Sequence, residues 1–224
     1  MPLTLFEKIW NSHRIIEGKN QPDLIYIDRI FLHERTGSFA LKSLKERDLS
    51  VKNPKHVFAT MDHIIDTFPG RGDETLMPGG KKFITTMRYL AKEFNITLFD
   101  IDDPRHGISH LISAEQGITL PGSIVTCPDS HTCTLGALGA IGWGVGSSDC
   151  EHALATTTLS GIKPKQMKVT FNGKLNEGVN PKDMMLHLIE KYSASGGSGY
   201  AIEFSGDTIH MMPIENRFTL CNMA

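Results

Sequence analysis

The sequence has no apolar run as long as the roughly 18 residues that a membrane-spanning helix requires. Its first eight residues reach charged side chains before they can build the apolar core of a secretion signal. Lys and Arg number 23 and Asp and Glu number 25, so the chain lacks the positive excess of a general nucleic-acid binder. Hydrophobic residues at 40% and charged residues at 21% exclude the composition of a disordered protein. We therefore expect a folded cytoplasmic protein.

The four cysteines contain no C-x-x-C pair, which argues against zinc-ribbon, thioredoxin-like and ferredoxin-like folds. They are Cys127, Cys133, Cys150 and Cys221. In a cytoplasmic protein we expect them to be reduced thiols that pack as small apolar side chains. The glycines at 142, 144 and 146 do not have the spacing of a dinucleotide-binding loop, and no Lys-Ser/Thr pair follows the glycines of 196–199. Both glycine runs predict tight turns and close backbone packing.

Segments typical of strands alternate with segments typical of helices. Strands are predicted at 23–28, 56–61, 96–101, 122–127, 165–171 and 200–204, and helices at 4–11, 38–46, 81–94, 148–159 and 181–192. Capping boxes are expected at Thr4 with Glu7 and at Ser148 with Glu151, and Asn180 followed by Pro181 marks a third helix start. The alternation predicts an α/β fold with a largely parallel sheet in a three-layer α/β/α domain. A linker near Gly161–Pro164 divides the chain into domains at 1–164 and 165–224, the second being the beginning of another α/β domain. The apolar, uncapped end at Phe218–Ala224 leads us to expect a fragment of a longer protein.

Histidines and aspartates cluster where predicted strands end. Asp62 and His63 follow the second strand, Asp129 and His131 follow the fourth, and His110 lies between them in sequence. An aspartate beside a histidine fixes the imidazole tautomer and stabilises its cation, as acid–base catalysis near neutral pH requires. Because ligands bind beyond the carboxyl ends of parallel strands, we expect one shared active site. The same side chains are also ligands for divalent metals, so a metal-dependent hydrolase is the alternative.

Five short motifs occur in an order that resembles the aconitase family. They are Thr60–His63, Gly107–His110, Cys127–Ala140 with its D-S-H-T string, Ser148–Thr156 and Thr219–Met223. The resemblance covers essentially the whole chain. It implies an aconitase-like fold and a hydro-lyase that isomerises a 2-alkylmalate, in a branch of the family built from large and small subunits. The Phe68–Gly80 loop, and Pro128 where glycine is common, are similar to variant members that act on other 2-alkylmalates.

The resemblance also implies roles for individual residues. Asp62 with His63 is one catalytic pair, and Asp129 with His110 is a second. His131 completes the catalytic set. The expected substrate-binding residues are His33, Ser130 and Asn222, the last of which matches an asparagine beside the family's cofactor.

The cofactor that the resemblance implies is a [4Fe–4S] cluster in full-length members. Its cysteine ligands belong to downstream motifs that this sequence lacks, so we expect none of the four cysteines to be a ligand and assign no metal ligand to this chain. A carboxylate partner for His131 is expected just past Ala224, and a serine base on a separate small subunit. We therefore expect the chain alone to bind no cluster and to be inactive. A truncated remnant without catalytic function is the third alternative.

Overall fold

The computed structural model describes residues 2–19 and 21–224. The strands are β1 (Arg14–Ile16), β2 (Asp23–Tyr26), β3 (Arg29–His33), β4 (Val57–Thr60), β5 (Thr97–Phe99), β6 (Ile124–Cys127), β7 (Ile141–Gly144), β8 (Thr158–Gly161), β9 (Lys165–Thr170) and β10 (Tyr200–Ser205). The α-helices are α1 (Leu5–His13), α2 (Gly37–Glu46), α3 (Gly80–Glu93), α4 (Ser109–Glu115), α5 (Ser147–Thr156), α6 (Pro181–Tyr192), α7 (Asp207–His210) and α8 (Ile214–Asn222). Two segments, Pro54–His56 and Ser130–Leu138, are 3-10 helical.

A five-stranded parallel sheet with the order β5-β4-β3-β6-β7 forms the centre of the fold. The chain begins this sheet at β3, runs outward through β4 and β5, and then returns to the other side of β3 with β6. The strand order therefore reverses between β3 and β6. In open parallel sheets, a crevice for ligands forms at such a reversal, outside the carboxyl ends of the strands.

Side chains of alternate residues in the central strands fill two cores, one on each face of the sheet. Ile30 and Leu32 of β3 pack with the buried faces of α2, α3 and α5 in the larger core. Phe31 points to the opposite face and packs with Phe99 and Ile112 in the smaller core, which α4 covers. Helices thus cover both faces of a parallel sheet, and the predicted α/β fold class with its three layers is confirmed.

Two smaller sheets lie outside this arrangement. The antiparallel sheet β1-β2-β8 contributes Ile25 and Leu159 to the larger core. Strands β9 and β10 form a separate parallel pair, beside a third core that contains Met184, Met212 and Leu220. Helix α8 packs against the 3-10 segment that follows β6. Within the described residues, no helix is long and apolar enough to span a membrane.

Capping signals predicted two helix starts correctly and one incorrectly. The capping box of Thr4 and Glu7 is present at α1, and Asn180 caps α6 ahead of Pro181. The expected box of Ser148 and Glu151 is absent, because α5 begins one residue earlier after Gly146, with no side-chain cap. The predicted helix over 148–159 is also too long. It ends at Thr156 because Thr157 adopts a left-handed conformation (φ 61°), after which the chain forms β8.

Candidate active site

The histidines and aspartates singled out in the sequence meet at the carboxyl edge of the central sheet. His33 is the last residue of β3, Asp62 and His63 follow β4, and Asp129 follows β6. These three strands are neighbours, and β3 and β6 flank the reversal of strand order. His110 reaches the same edge from the first turn of α4. The topology therefore brings together side chains that lie almost a hundred residues apart.

The imidazole of His63 lies between two carboxylates. Its Nδ1 donates to Asp62 Oδ1 at 2.6 Å, and its Nε2 donates to Asp129 Oδ2 at 2.9 Å. The bonds to Asp129 and Asp62 raise the pKa of His63 to about 10. With both nitrogens protonated, the ring is a cation at neutral pH. The side chain remains 27% exposed, so this cation is accessible from the open edge of the sheet.

Asp129 connects His63 to two further groups. Its Oδ1 accepts a hydrogen bond from His110 Nε2 at 3.0 Å and another from the backbone N–H of His131 at 2.6 Å. The second bond caps the 3-10 segment, which begins at the next residue. The bonds from His110 and His63 hold the pKa of Asp129 far below its usual value, despite partial burial. Asp129 is therefore a permanent anion shared by both predicted acid–base pairs.

Asp62 is more deeply buried than Asp129 and is also ionised. Its side chain is 4% exposed, against 11% for Asp129. Burial alone would raise the pKa of Asp62, but the hydrogen bonds from His63 and from the backbone N–H of Ser109 lower it below its usual value. The bond to Ser109 also joins Asp62 to the start of α4. Asp62 thus anchors His63 and fixes the helix that carries His110.

His33 contacts the rest of the site by stacking its ring on that of His63, whereas His63 and His110 are hydrogen-bonded to aspartates. The rings of His33 and His63 stack with their centroids 3.6 Å apart and their planes at 15°. His33 Nε2 donates to the carbonyl of Pro128 at 2.9 Å, and its Nδ1 is buried without a hydrogen-bond partner. Burial, with the nearby charge of His63, lowers the pKa of His33. His33 is therefore a neutral ring with one unused acceptor beneath a charged ring.

The remaining predicted residues are more loosely connected to this group. His131 and Ser130 are exposed at the start of the 3-10 segment, with Ser130 Oγ 3.3 Å from His131 Nδ1. Asn222 is not hydrogen-bonded to any of the histidines or aspartates. Its Nδ2 donates to Thr134 Oγ1 at 2.9 Å, and that hydroxyl donates to the carbonyl of His131 at 2.7 Å. Asn222 therefore holds α8 against the segment that carries His131.

Sequence reasoning did not predict any role for Glu34, although this residue touches the site. Its carboxylate is fully buried and accepts hydrogen bonds from three consecutive backbone N–H groups, those of residues 62, 63 and 64. Burial raises the pKa of Glu34, whereas the bond from the Ile64 N–H acts in the opposite direction. The sequence does contain one signal for such a role. Glu34 directly follows His33 at the end of an apolar segment, where a charged side chain exposed to water is not expected.

Two glycines let strand β7 approach the start of the 3-10 segment. A Cβ added to Gly142 would lie 1.9 Å from the carbonyl oxygen of Thr132. A Cβ added to Gly144 would lie 2.5 Å from the carbonyl oxygen of Asp129. Side chains at either position would push the D-S-H-T segment away from the sheet. Close backbone packing, as predicted for this glycine run, is therefore confirmed at these two positions.

Side-chain hydrogen bonds hold the loop between β4 and α3 at two places. Arg88 of α3 binds both oxygens of Asp73 in this loop and both oxygens of Asp100 after β5. His106 donates from Nε2 to the carbonyl of Met61 at 2.7 Å, next to Asp62. Such bidentate arginine contacts favour one loop conformation.

One set of described residues has the side chains and spacing of a metal site. The ligand atoms of His33, Glu34, Asp62 and His63 lie within 4.8 Å of one another. However, both nitrogens of His63 are engaged with carboxylates, and Glu34 is engaged with backbone N–H groups. A metal ion would have to displace these bonds and the protons of His63.

The four thiols do not form a comparable set. Cys127 and Cys150 are fully buried in the two separate cores on opposite faces of the central sheet. Burial raises the pKa of Cys150 and of Cys221 to about 12, and that of Cys127 well above its usual value. Among the described residues, no group suited to a metal ion includes a cysteine. Because an iron–sulfur cluster needs several thiolates at one place, these cysteines do not fit one.

The class of protein follows from comparison with known sequences. The chain belongs to the aconitase family: the family described as "Aconitase family (aconitate hydratase)" matches residues 7–224. The resemblance expected from the five motifs is thus confirmed.

Particular relatives are large subunits of one dehydratase. The chain is similar to the 3-isopropylmalate dehydratase large subunit 1 of Bradyrhizobium diazoefficiens, with 46% identity over 99% of this chain and 46% of the relative. It is 44% identical to the 3-isopropylmalate dehydratase large subunit of Listeria monocytogenes over 100% of this chain and 48% of the relative. The corresponding subunit of Staphylococcus haemolyticus is 43% identical over 100% of this chain and 49% of the relative. The chain spans about half the length of the curated relatives it matches.

Proposed function

We propose that this chain supplies one part of a hydro-lyase active site, namely the histidines and aspartates at the carboxyl edge of the central sheet. We call this group the acid–base edge; its members are His33, Asp62, His63, His110, Asp129 and His131. The proposed enzyme isomerises a 2-alkylmalate, and the substrate we propose is 3-isopropylmalate of leucine biosynthesis. The observation that carries the proposal is the charged ring of His63 between Asp62 and Asp129 at the open edge of the sheet. The relatives' names support the substrate, because three similar large subunits bear the name of the same dehydratase.

In this proposal His63 is the general acid for the departing hydroxyl group. Its Nδ1–H is anchored to the more buried Asp62, so the proton on Nε2 is the one that can be transferred. The substrate hydroxyl would replace Asp129 as the acceptor of that proton. The C–O bond then breaks, the hydroxyl leaves as water, and a base outside the described residues removes the carbon-bound proton. Hydration of the alkene in the opposite sense completes the isomerisation.

The other residues have supporting roles in the same reaction. Asp129 and His110 form the second pair, which holds or returns a proton on the far side of His63. Ser130 and His131, which are exposed, contact the substrate in this proposal, and the buried ring of His33 supports the ring of His63 by stacking beneath it. Asn222 holds the segment that carries His131. Residues 1–164 form the domain that bears the acid–base edge, and 165–224 begin a second domain.

Full-length members of the aconitase family contain a [4Fe–4S] cluster, and the cysteines described above do not fit its ligand set. We therefore assign no reaction step to the cluster in this chain and infer that its ligands lie outside these 224 residues. The relatives are named as large subunits, which supports a small subunit as the partner.

A chimaera tests the proposal in a complete enzyme. This chain would replace the corresponding segment of the Listeria monocytogenes large subunit, produced together with that organism's small subunit. We expect alkene formation from 3-isopropylmalate, measured by ultraviolet absorption.

In this chimaera, His63→Asn should lower kcat roughly 10²–10⁴-fold, the usual size for a lost general acid, with little change in KM. His187→Asn, on the exposed surface of α6, is the control and should leave kcat unchanged.

Two results would contradict the proposal. An active chimaera in which His63→Asn keeps kcat within a few-fold would assign His63 a structural role. Stoichiometric zinc or manganese bound to the chain alone, together with hydrolase turnover that His63→Asn abolishes, would favour the metal-dependent hydrolase.

The chain alone provides a separate test of the cofactor assignment. After anaerobic iron–sulfur reconstitution of the purified 224 residues, we expect no cluster absorption in the visible range and no alkene formation. A cluster that is lost in Cys133→Ser or Cys221→Ser would show that these thiols are ligands.

A further inference from the structure

We propose that Glu34 is the positioning residue of the acid–base edge, holding Asp62 and His63 in register by binding the backbone of the loop that carries them. The effect of Glu34 on catalysis rests on the proposed function, whereas the contacts that support its positioning role do not depend on any reaction.

The loop after β4 needs acceptors that regular structure does not provide. Residues 62–64 follow the end of β4, so strand pairing does not supply acceptors for their N–H groups, although Ile64 is buried. Buried N–H groups without acceptors are costly, and native proteins rarely leave them unpaired. Glu34 Oε2 accepts the N–H of Asp62 at 3.1 Å, and Oε1 accepts that of His63 at 2.9 Å together with that of Ile64.

The choice of a glutamate is unusual for such a buried position. Glu34 is 0% exposed, and burial of a carboxylate carries a large desolvation cost. A carboxylate offers two oxygens with about four acceptor sites, whereas a glutamine at the same place would present one oxygen and an NH₂ group. Only the carboxylate can therefore accept from all three N–H groups without placing a donor against a donor.

Two consecutive residues, His33 at the end of β3 and Glu34 directly after it, thus contact the loop that carries Asp62 and His63. Glu34 binds its backbone, and His33 stacks beneath the ring of His63 at 3.6 Å. The ring must at the same time meet Asp62 on one side and Asp129 on the other, with bonds of 2.6 and 2.9 Å. Because acid–base geometry must be held to within roughly 0.5 Å, a loop shift of that size would break one of these bonds.

Nuclear magnetic resonance of the 224-residue chain tests the proposal without any turnover. We would compare wild type with Glu34→Gln, measuring amide hydrogen exchange at residues 62–64 and the titration of ¹⁵N-labelled His63. The groups that face His63 are Asp62, Asp129 and His33, and all of them remain in the variant. We expect amide exchange of the loop to accelerate at least roughly tenfold, and the pKa of His63 to fall towards its ordinary value as its carboxylate contacts loosen.

Two further variants separate positioning from charge and from general stability. Glu34→Asp keeps the negative charge but is one methylene shorter, so it should also accelerate exchange in the loop, although less than Glu34→Gln does. Thr126→Val changes another fully buried residue and removes its hydrogen bond from Oγ1 to the carbonyl of Trp143 at 2.8 Å, and it should leave both readouts of the loop unchanged. In the chimaera, Glu34→Gln should lower kcat at least roughly tenfold with KM nearly constant, and Glu34→Asp should restore part of the loss.

Unchanged loop exchange and an unchanged pKa of His63 in Glu34→Gln would overturn the proposal. So would a failure of both Glu34 variants to fold, since Glu34 would then support the whole fold rather than the loop. Wild-type exchange rates in Glu34→Asp would assign the effect to the charge of the side chain rather than to its length, and this result would also overturn the proposal. If the magnetic resonance results agree while the chimaera is inactive, the positioning role stands and the proposed function fails.

Discussion

At the scale of single residues, the site is a balance between burial and pairing. The cation of His63 lies within hydrogen-bond distance of two carboxylates, those of Asp62 and Asp129. Burial opposes the ionised form of each group, and the hydrogen bonds outweigh it in all three. The charge state of the site is therefore set by contacts that the chain itself makes.

The raised pKa of His63 predicts a specific pH dependence of stability. The folded state binds this proton up to a pH of about 10, whereas the unfolded chain releases it near the usual 6.5. The stabilising contribution is therefore complete below pH 6.5 and is lost as the pH rises from 6.5 to about 10. Urea unfolding of wild type and His63→Asn should differ by about 1–2 kcal/mol more at pH 6 than at pH 10, a reduced value because solvent screens the partly exposed ring. A difference that is constant over this range would contradict the assigned charge.

The central position of Asp129 predicts a large cost for its neutralisation. Asp129→Asn leaves the cation of His63 with one carboxylate and presents an NH₂ group to donors. We expect a loss of about 2–4 kcal/mol in the free energy of unfolding at pH 7, measured by urea titration. Asp102→Asn, at an exposed position, is the matched control and should stay within about 0.5 kcal/mol of wild type. Equal effects of the two substitutions would remove Asp129 from the centre of the network.

At the scale of elements, strand β7 acts as a close support for the D-S-H-T segment. The contact of Gly144 with the Asp129 carbonyl predicts that Gly144→Ala pushes the carboxylate away from His63 and destabilises the fold by about 1–3 kcal/mol, the usual cost of overpacking. Gly146→Ala is the control, because a Cβ at this position meets no atom within 4 Å. Thermal unfolding and the ¹⁵N titration of His63 would measure both effects. A tolerated Gly144→Ala with an unshifted His63 would contradict the support role.

The sequence predicted the long, well-signalled elements and missed the short buried ones. Helices α3 and α6 begin and end within a residue or so of the expected positions because their apolar periodicity extends over several turns. Strand β3 was missed, since it follows β2 after two residues, is buried on both faces and so shows no alternation. Helix α4 is only seven residues long and has no side-chain cap. These two elements carry His33 and His110.

The candidate site was predictable as a set of residue types but not as a network. Asp62, His63 and Asp129 are recognisable because each lies just after a strand. That one ring would bridge two aspartates depends on the order of the strands, which one sequence does not reveal. The contacts of Glu34 with the site were not predictable, because its partners are backbone N–H groups. Nearly every residue has such a group, so the sequence does not indicate which of them bind a side chain.

At the scale of the whole molecule, the cores differ greatly in size. The larger core of the central sheet joins residues from α1 to β8, whereas the core beside β9 and β10 contains four buried residues, Met184, Met185, Met212 and Leu220. A two-stranded sheet with so small a core has little stability of its own. The proposed division at 164/165 would thus separate a strongly packed part from a weakly packed one.

Hydrogen exchange followed by mass spectrometry tests this division. We expect the amides of β9, β10 and α6 to exchange at least roughly tenfold faster than those of β3, β4 and β6 under native conditions. Equal protection throughout would indicate a single cooperative unit and contradict the division at 164/165. The amides of α8 provide an internal comparison, because α8 packs against the 3-10 segment of the first part.

The order of elements along the chain has a consequence for biosynthesis. Every strand of the central sheet, and every residue of the acid–base edge from His33 to His131, has been translated once Gly144 has left the ribosome. Synthesis from the N-terminus therefore delivers the acid–base edge before any of β9, β10 or α8. The nascent polypeptide can close the carboxyl edge of the sheet first, and later segments then dock onto a surface whose electrostatics are already established.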